Sequence, residues 1–491
     1  MTASSTLITP SGLWAGKIYS GGWRNGGLGK HPVVDKANGE LLGEVGFASA
    51  EDVAAAAAMG AKAQPAWSEM PSPLRGDILR KFAELLLQHH KEISDWTVRE
   101  TGSTRLKSGW EAQMCSRIVL EGAALTSHHS GLQLATAVQG RESFARRVPI
   151  GVVGVITPWN SPMTLACRAL APALAMGNAV ILKPDPQTPV SGGVLLAAIA
   201  DAAGLPNGLL HVLPGAIETG EALVKERLIR MVSFTGSTRA GRRVGALAGE
   251  HVKRVSLELG GNNAYIITED ADLDLAAGAG AWGSFFHQGQ ICTTIGRHIV
   301  HQSVAGDYVR RLSERAKKLT VGDPNKGDFD LGPIINERQA RNVERIVKDT
   351  IAQGATLVQG GGRDGLFFQP TVISGLKPGM PAFEEEIFGP VAAIATFGTD
   401  EEAIDLANRT DYGLVSSVVS RDYTRAKRIA SRLHAGMVHI NDQTVVHEVY
   451  GPVGGIGCSG NGWNYGTSVN ADQFTEWQWT TIRSDLPSYA F

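Results

Sequence analysis

Four cysteines are spread over 491 residues, at positions 115, 167, 292 and 458. That spacing fits neither a disulfide framework nor a paired metal or redox site, so no metal is expected. A lone cysteine is ordinarily a small buried apolar residue, which is the reading for Cys115 and Cys167. Cys292 differs in its setting. It lies in FFHQGQICTTIGRH, residues 285–298, just after a glycine-bearing turn and with no second thiol near enough to bridge. As a thiolate it is a nucleophile, able to form covalent acyl intermediates. His287, five residues earlier, keeps a cysteine hydrolase open as a rival.

Phosphate-binding chemistry has two candidate stretches. GIGCSG, Gly455 to Gly460, matches the literal glycine fingerprint for dinucleotides, but it follows HEVYGPVG and runs into NGWNYG, so neither strand nor helix flanks it. It is a glycine-rich loop. SFTGSTRAG, residues 233–241, is the better candidate, because an apolar strand ends at Gly236 and a helix opens at Ser237 and Thr238. Free amides and hydroxyls at a helix start favour phosphate, although a plain N-capped helix has the same sequence. Lys183 closes the run AVILKP, and TPWN closes GVVGVIT; both lie at carboxyl ends of strands, where doubly wound sheets bind nucleotides.

These residues need elements to position them. Residues 51–130 carry apolar residues at threefold and fourfold spacing and are expected to be helical. From 151 the texture changes to short β-branched runs, GVVGVIT, NAVILKP, GLLHVLPG, IRMVSFTG and RVSLELG, with helical stretches between them. Buried strands alternating with helices predict an α/β fold with a doubly wound parallel sheet. A second alternation from about 262 to 441 includes NAYIIT, RHIVH, LVSSVVS and MVHIN. GRESFARRVPI and TEWQWTTIRS have the pattern of exposed strands outside both units, and such strands are usually paired, within the chain or with another subunit.

Composition narrows the partners. Net charge is −2 with no long run of one sign, which argues against a nucleic-acid or membrane-surface partner and for a small molecule. The apolar stretch 165–182 is broken by Arg168, Pro172 and Asn178, so it is not a membrane span. The first twenty residues lack a basic start followed by an apolar run, so a cytoplasmic protein is expected.

TPWNSP, ILKPDP, FTGSTRAG, LELGGNN, FHQGQIC, EEIFGP, GMVHIN and GPVGGIGCSG occur in an order and at a spacing that resemble the aldehyde dehydrogenase superfamily across essentially the whole chain. Within it, LKPD, ELGGNN, HQGQ, GRH and HIND are most similar to benzaldehyde dehydrogenases and other aromatic-aldehyde members. The resemblance implies an aldehyde dehydrogenase-like fold. A Rossmann-type cofactor domain would span 1–127 and 149–258, a catalytic domain 259–448, and a strand-forming oligomerisation element 128–148 and 475–491, serving a homodimer or homotetramer. It further implies Cys292 as nucleophile, Glu258 as general base and Asn160 as oxyanion donor. Lys183 would meet the adenosine ribose of NAD, Gly236 and Ser237 the pyrophosphate, and Glu386 and Phe388 the nicotinamide ribose and ring. Thr157, Pro158, Trp159, Pro186, Gly215, Phe234, Gly241 and Leu259 would line the same cleft. Pro186 stands where the wider superfamily often has a glutamate that holds the ribose hydroxyls and repels a 2′-phosphate, which leaves NADP open as an alternative. Ser161 and Val453 replace frequent phenylalanines, and with Leu165, Ile291 and Thr293 they would form a broad apolar slot suited to the flat ring of an aromatic aldehyde. Arg168 either meets a ring substituent or, as is commoner for a helical arginine, pairs with a carboxylate elsewhere; it is taken as structural. Aliphatic or semialdehyde substrates are the alternative, and CoA as the acyl acceptor is disfavoured by the presence of Glu258.

Overall fold

The computed structural model describes residues 6–8, 12–128, 131–446, 448–466 and 468–491. Those parts of the expectations above that fall on 1–5, 9–11, 129–130, 447 and 467 lie outside the described residues. Two seven-stranded sheets and one three-stranded sheet carry the architecture.

The first sheet runs in the order Arg254–Glu258, Ile229–Thr235, Val152–Ile156, Ala179–Lys183, Leu210–Val212, Lys17–Ser20 and Trp23–Asn25. Its first five strands are parallel. Val152–Ile156 and Ala179–Lys183 are buried at every position, as strands covered on both faces must be, which is why they read as unbroken apolar runs. The strand order reverses between Val152–Ile156 and Ile229–Thr235, and a crevice for a ligand opens at such a switch point. Register places the candidates there: Thr235 is level with Glu258, Phe234 with Ile156, and Ile156 with Lys183.

The sheet is not wholly parallel. Lys17–Ser20 adds antiparallel to Leu210–Val212, and Trp23–Asn25 adds antiparallel to that. These short strands, among glycines at 16, 21 and 22, carry too little periodicity to be legible beforehand. The expected helices form as Ala50–Glu69, Ser72–Gln88, His90–Thr101 and Arg105–Leu125.

The chain leaves the first sheet at Glu258 and enters the second at Asn263. That sheet runs Thr356–Gln359, Thr371–Ser374, Val391–Phe397, Ile295–His301, Asn263–Ile267, Val415–Val419 and Met437–Ile440. Cys292 lies three residues before one of its central strands, Ile295–His301. The carboxyl ends of one sheet and the amino ends of the other are thereby joined by the four residues 259–262. The two exposed runs pair with one another: Thr475–Arg483 is antiparallel to Arg141–Pro149 over nine residue pairs, and Gly131–Gln133 completes the sheet. Among the described residues no helix is long and apolar enough to cross a membrane.

Candidate active site

Helix Leu273–Phe285 ends in a tight turn, Phe286–Gly289, in which His287, Gln288 and Gly289 all have positive φ, at 51°, 57° and 66°. Two non-glycine residues in that region are costly, about 1–3 kcal/mol each, and persist only where the surroundings hold them. Here Gln288 Nε2 donates to Gly102 O (2.8 Å) and Pro333 O (2.9 Å). Gly289 has no alternative, because a Cβ there would lie 2.1 Å from Gly389 O. Beyond the turn, Gln290 Oε1 accepts from Ile335 N (3.0 Å). Asn263 Nδ2 donates to the carbonyls of both Cys292 (2.8 Å) and Thr294 (2.7 Å), and its Oδ1 accepts from Val415 N (3.2 Å). Cys292 is therefore held from behind by the second sheet while it keeps partial exposure.

Its thiol is pushed up to about 12, chiefly by burial. Arg168 opposes that rise, and Glu386 and Glu258 add to it. Glu258, on the last residue of its strand, is buried, and its Oε1 has no hydrogen-bond partner. Desolvation raises its carboxyl well above the usual range, again opposed by Arg168. Arg168 thus lies within electrostatic reach of both groups. The helix explains how it gets there. In Pro162–Ala175 every residue is buried except Leu165 and Arg168; with Ser161 at the N-cap they fall at steps of four and three, on one face. Sequence spacing contained that signal.

Asn160 immediately precedes this helix. It is buried, and its Nδ2 donates to Gln290 O at 2.9 Å, which joins it to the Cys292 loop. A carboxamide nitrogen carries two hydrogens, so one remains to donate. Ile291 and Thr293 flank Cys292 and are buried, and Thr293 Oγ1 has no partner. Val453 exchanges backbone hydrogen bonds with Tyr465 (2.7 and 2.8 Å), whose phenol lies within electrostatic reach of Glu258. His287 is turned towards Ser103, with Nδ1 3.4 Å from its hydroxyl, and burial drives its pKa well below the ordinary value.

The remaining candidates gather at the strand ends. Lys183 Nζ donates to Gly215 O (2.9 Å) and Pro184 O (3.0 Å), and burial lowers its pKa; Pro186 lies three residues on, partly exposed. A Cβ on Gly236 would lie 2.6 Å from the Phe234 ring, and one on Gly241 would lie 2.3 Å from Leu259. Gly236 N donates to Glu258 O (3.0 Å). Ser237 caps helix Thr238–Glu250 by accepting from Ala240 N, so the amides of the first turn point to the crevice. Thr157 N donates to Lys183 O (3.3 Å), while its buried Oγ1 has no partner. Trp159, next to Pro158, packs edge-on against Phe388 at 5.5 Å. Glu386 Oε1 accepts from Gly261 N (3.0 Å), and burial pushes its carboxyl up to about 7. Asn263 and Gln290, which fix the loop, were not singled out from sequence.

This crevice brings a thiol, a desolvated carboxyl and a carboxamide together near a helix start, an arrangement able to support a cysteine nucleophile. A model of the aldehyde dehydrogenase family matches residues 23–480, and the chain belongs to that family. It is 47% identical over 479 residues to a benzaldehyde dehydrogenase [NAD(+)] of Pseudomonas putida, covering 98% of each chain. It is 46% identical over 479 residues to a vanillin dehydrogenase of an Amycolatopsis species, covering 97% of this chain and 98% of that one. Among solved structures, betaine aldehyde dehydrogenase of Staphylococcus aureus in complex with NAD+ superposes with a TM-score of 0.94 at 30% identity, covering 97% of this chain and 96% of that one.

Proposed function

We propose that this enzyme oxidises an aromatic aldehyde, benzaldehyde or a ring-substituted relative, to its carboxylate, with NAD as the acceptor. The carrying observation is that Cys292, Glu258 and Asn160 converge beside the Ser161, Leu165 and Arg168 helix face. The aromatic substrates named for the two bacterial relatives support the substrate class.

An aldehyde carbonyl has no alkoxide to expel a hydride, so the chain must first make one. Cys292 Sγ bonds to the carbonyl carbon, its proton passes to Glu258, and the oxygen becomes an alkoxide. The second Asn160 N–H and the Cys292 backbone N–H hold that oxyanion; each such donor contributes about 3 kcal/mol of barrier lowering. Phe234, Gly236, Ser237, Gly241 and Leu259 would hold the dinucleotide's phosphates, Lys183, Pro186 and Gly215 its adenosine, and Thr157, Trp159, Glu386 and Phe388 its nicotinamide half; the unpartnered Thr157 Oγ1 and the open helix start fit such a group. When bound, the dinucleotide supplies the acceptor for the hydride. Glu258 first releases the thiol proton to solvent; as a carboxylate again, its basicity raised by burial, it then takes a proton from the water that attacks the Cys292 thioester. Carboxylate leaves and the thiol is restored.

The domain division 1–127 with 149–258, 259–448, and 128–148 with 475–491 belongs to the same proposal, as does a homodimer or homotetramer. A reduced catalytic thiol suits the cytoplasm. A panel of aromatic and short aliphatic aldehydes, assayed with NAD and NADP separately by absorbance of the reduced nicotinamide, tests the reading. Fastest turnover is expected for benzaldehydes with NAD; faster oxidation of short aliphatic aldehydes would reject the substrate class.

A further inference from the structure

Lys107 and Glu111 are both fully buried on helix Arg105–Leu125, one turn apart, and pair with each other. Neither takes part in the chemistry above. A buried ion pair seldom adds net stability compared with apolar residues of similar size, so its retention calls for a different reason. Its remaining hydrogen bonds supply one. Lys107 Nζ donates to Asn160 O (2.8 Å), and Glu111 Oε1 accepts from Thr164 N (3.2 Å).

Those two backbone groups bracket Ser161. Ser161 is the N-cap of helix Pro162–Ala175 but makes no side-chain cap, which leaves the amide of Thr164, in the first turn, without the usual acceptor. Glu111 provides it from another helix. Lys107 fixes the carbonyl of the residue before, so the pair clamps the chain from both sides of the bend. Asn160 Nδ2 to Gln290 O adds a third tie, to the loop that carries Cys292. With its backbone and one amide hydrogen fixed, the Asn160 carboxamide has one direction left for its second N–H.

We infer that the buried Lys107–Glu111 pair is a positioning device that holds the Asn160 carboxamide in donor geometry towards the Cys292 loop. The inference rests on Asn160 being the oxyanion donor. Donor placement matters steeply, since an error of about 1 Å can cost about a hundredfold in rate.

The test uses Lys107→Met with Glu111→Gln in the full-length enzyme. The double variant keeps volume and the acceptor for Thr164 N, strands no charge, and removes the ion pair together with the ammonium donor to Asn160 O. It is expected to melt near the parent temperature and to keep its KM for NAD, while kcat for benzaldehyde falls by about 10 to 100-fold. Glu111→Gln alone keeps an acceptor for Thr164 N but strands the buried Lys107 ammonium, so it loosens the same clamp and is expected to lower kcat by at least about threefold. A folded double variant with parental kcat overturns the inference, as does parental kcat in Glu111→Gln alone, which remains decisive should the double variant not fold. Asn160→Ala is measured alongside. If it loses activity while the double variant does not, only the positioning role fails; if Asn160→Ala is fully active, the oxyanion reading itself fails.

Discussion

Cys292 and Glu258 are both pushed towards their protonated forms by burial; the backbone amide of Cys292 opposes that shift at the thiol, and Arg168 opposes it at both groups. The sign of its effect follows: a guanidinium beside a thiol and a carboxyl favours thiolate and carboxylate. Arg168→Met removes that influence, so both pKa values rise, while Glu386 and Tyr465, which also face these groups, remain. In a profile of kcat/KM against pH, the limb that rises as essential groups lose protons is expected to move to higher pH. Activity at neutral pH falls, and alkaline pH restores much of it. An unmoved limb would show that Arg168 does not govern either ionisation. At this scale Cys292 was legible because it stood alone beside a glycine turn. Lys107 and Glu111 were not, since a Lys–Glu pair four residues apart on a helix has the pattern of a solvated face, and only contacts made 53 residues further along the chain reveal its role.

At the scale of elements, the loop bearing Cys292 is more demanding than its sequence suggests. Three successive residues with positive φ, 287 to 289, are compressed against Gly102, Pro333 and Gly389. Gly289→Ala therefore combines a disfavoured backbone conformation with a Cβ 2.1 Å from a carbonyl oxygen. A stability loss of at least about 2 kcal/mol is expected in denaturant unfolding of the full chain, together with lower kcat as Cys292 shifts. A fully stable variant would mean that the turn can relax without cost. The strands of the first sheet's parallel core were legible because burial on both faces leaves continuous apolar runs. In the second sheet, Val391–Phe397 contains three alanines among its seven residues and Thr356–Gln359 is largely exposed; neither gives a strong strand signal. Of the antiparallel additions, Lys17–Ser20 docks on a strand nearly two hundred residues away and Trp23–Asn25 pairs only with Lys17–Ser20, so local pattern could not place them in this sheet.

For the whole molecule, the informative surface is the three-stranded sheet. Thr475–Arg483 is its edge strand, nine residues long, and an uncovered edge of that length is a template for pairing with another chain. Trp477 and Trp479 sit two residues apart on one face and are 50% and 66% exposed. Ile482 and Leu132 are exposed on the same sheet, and the chain ends with exposed Leu486, Tyr489 and Phe491. Apolar surface concentrated on one small element marks an interaction site more strongly than the same residues scattered singly. Arg147 stacks on Trp477 at 4.2 Å and Ser143 Oγ accepts from Trp479 Nε1 at 2.9 Å, so the rings are held in place before any partner arrives, which reduces the entropic cost of association. Trp477→Glu with Trp479→Glu places two carboxylates on that face without touching the crevice. Light scattering is expected to report a species of smaller mass than the parent enzyme at the same concentration, since a buried unpaired charge at an interface costs several kcal/mol. An unchanged mass would mean that this face carries no subunit contact and leave the sheet as an intramolecular tie between the segments around residues 145 and 479.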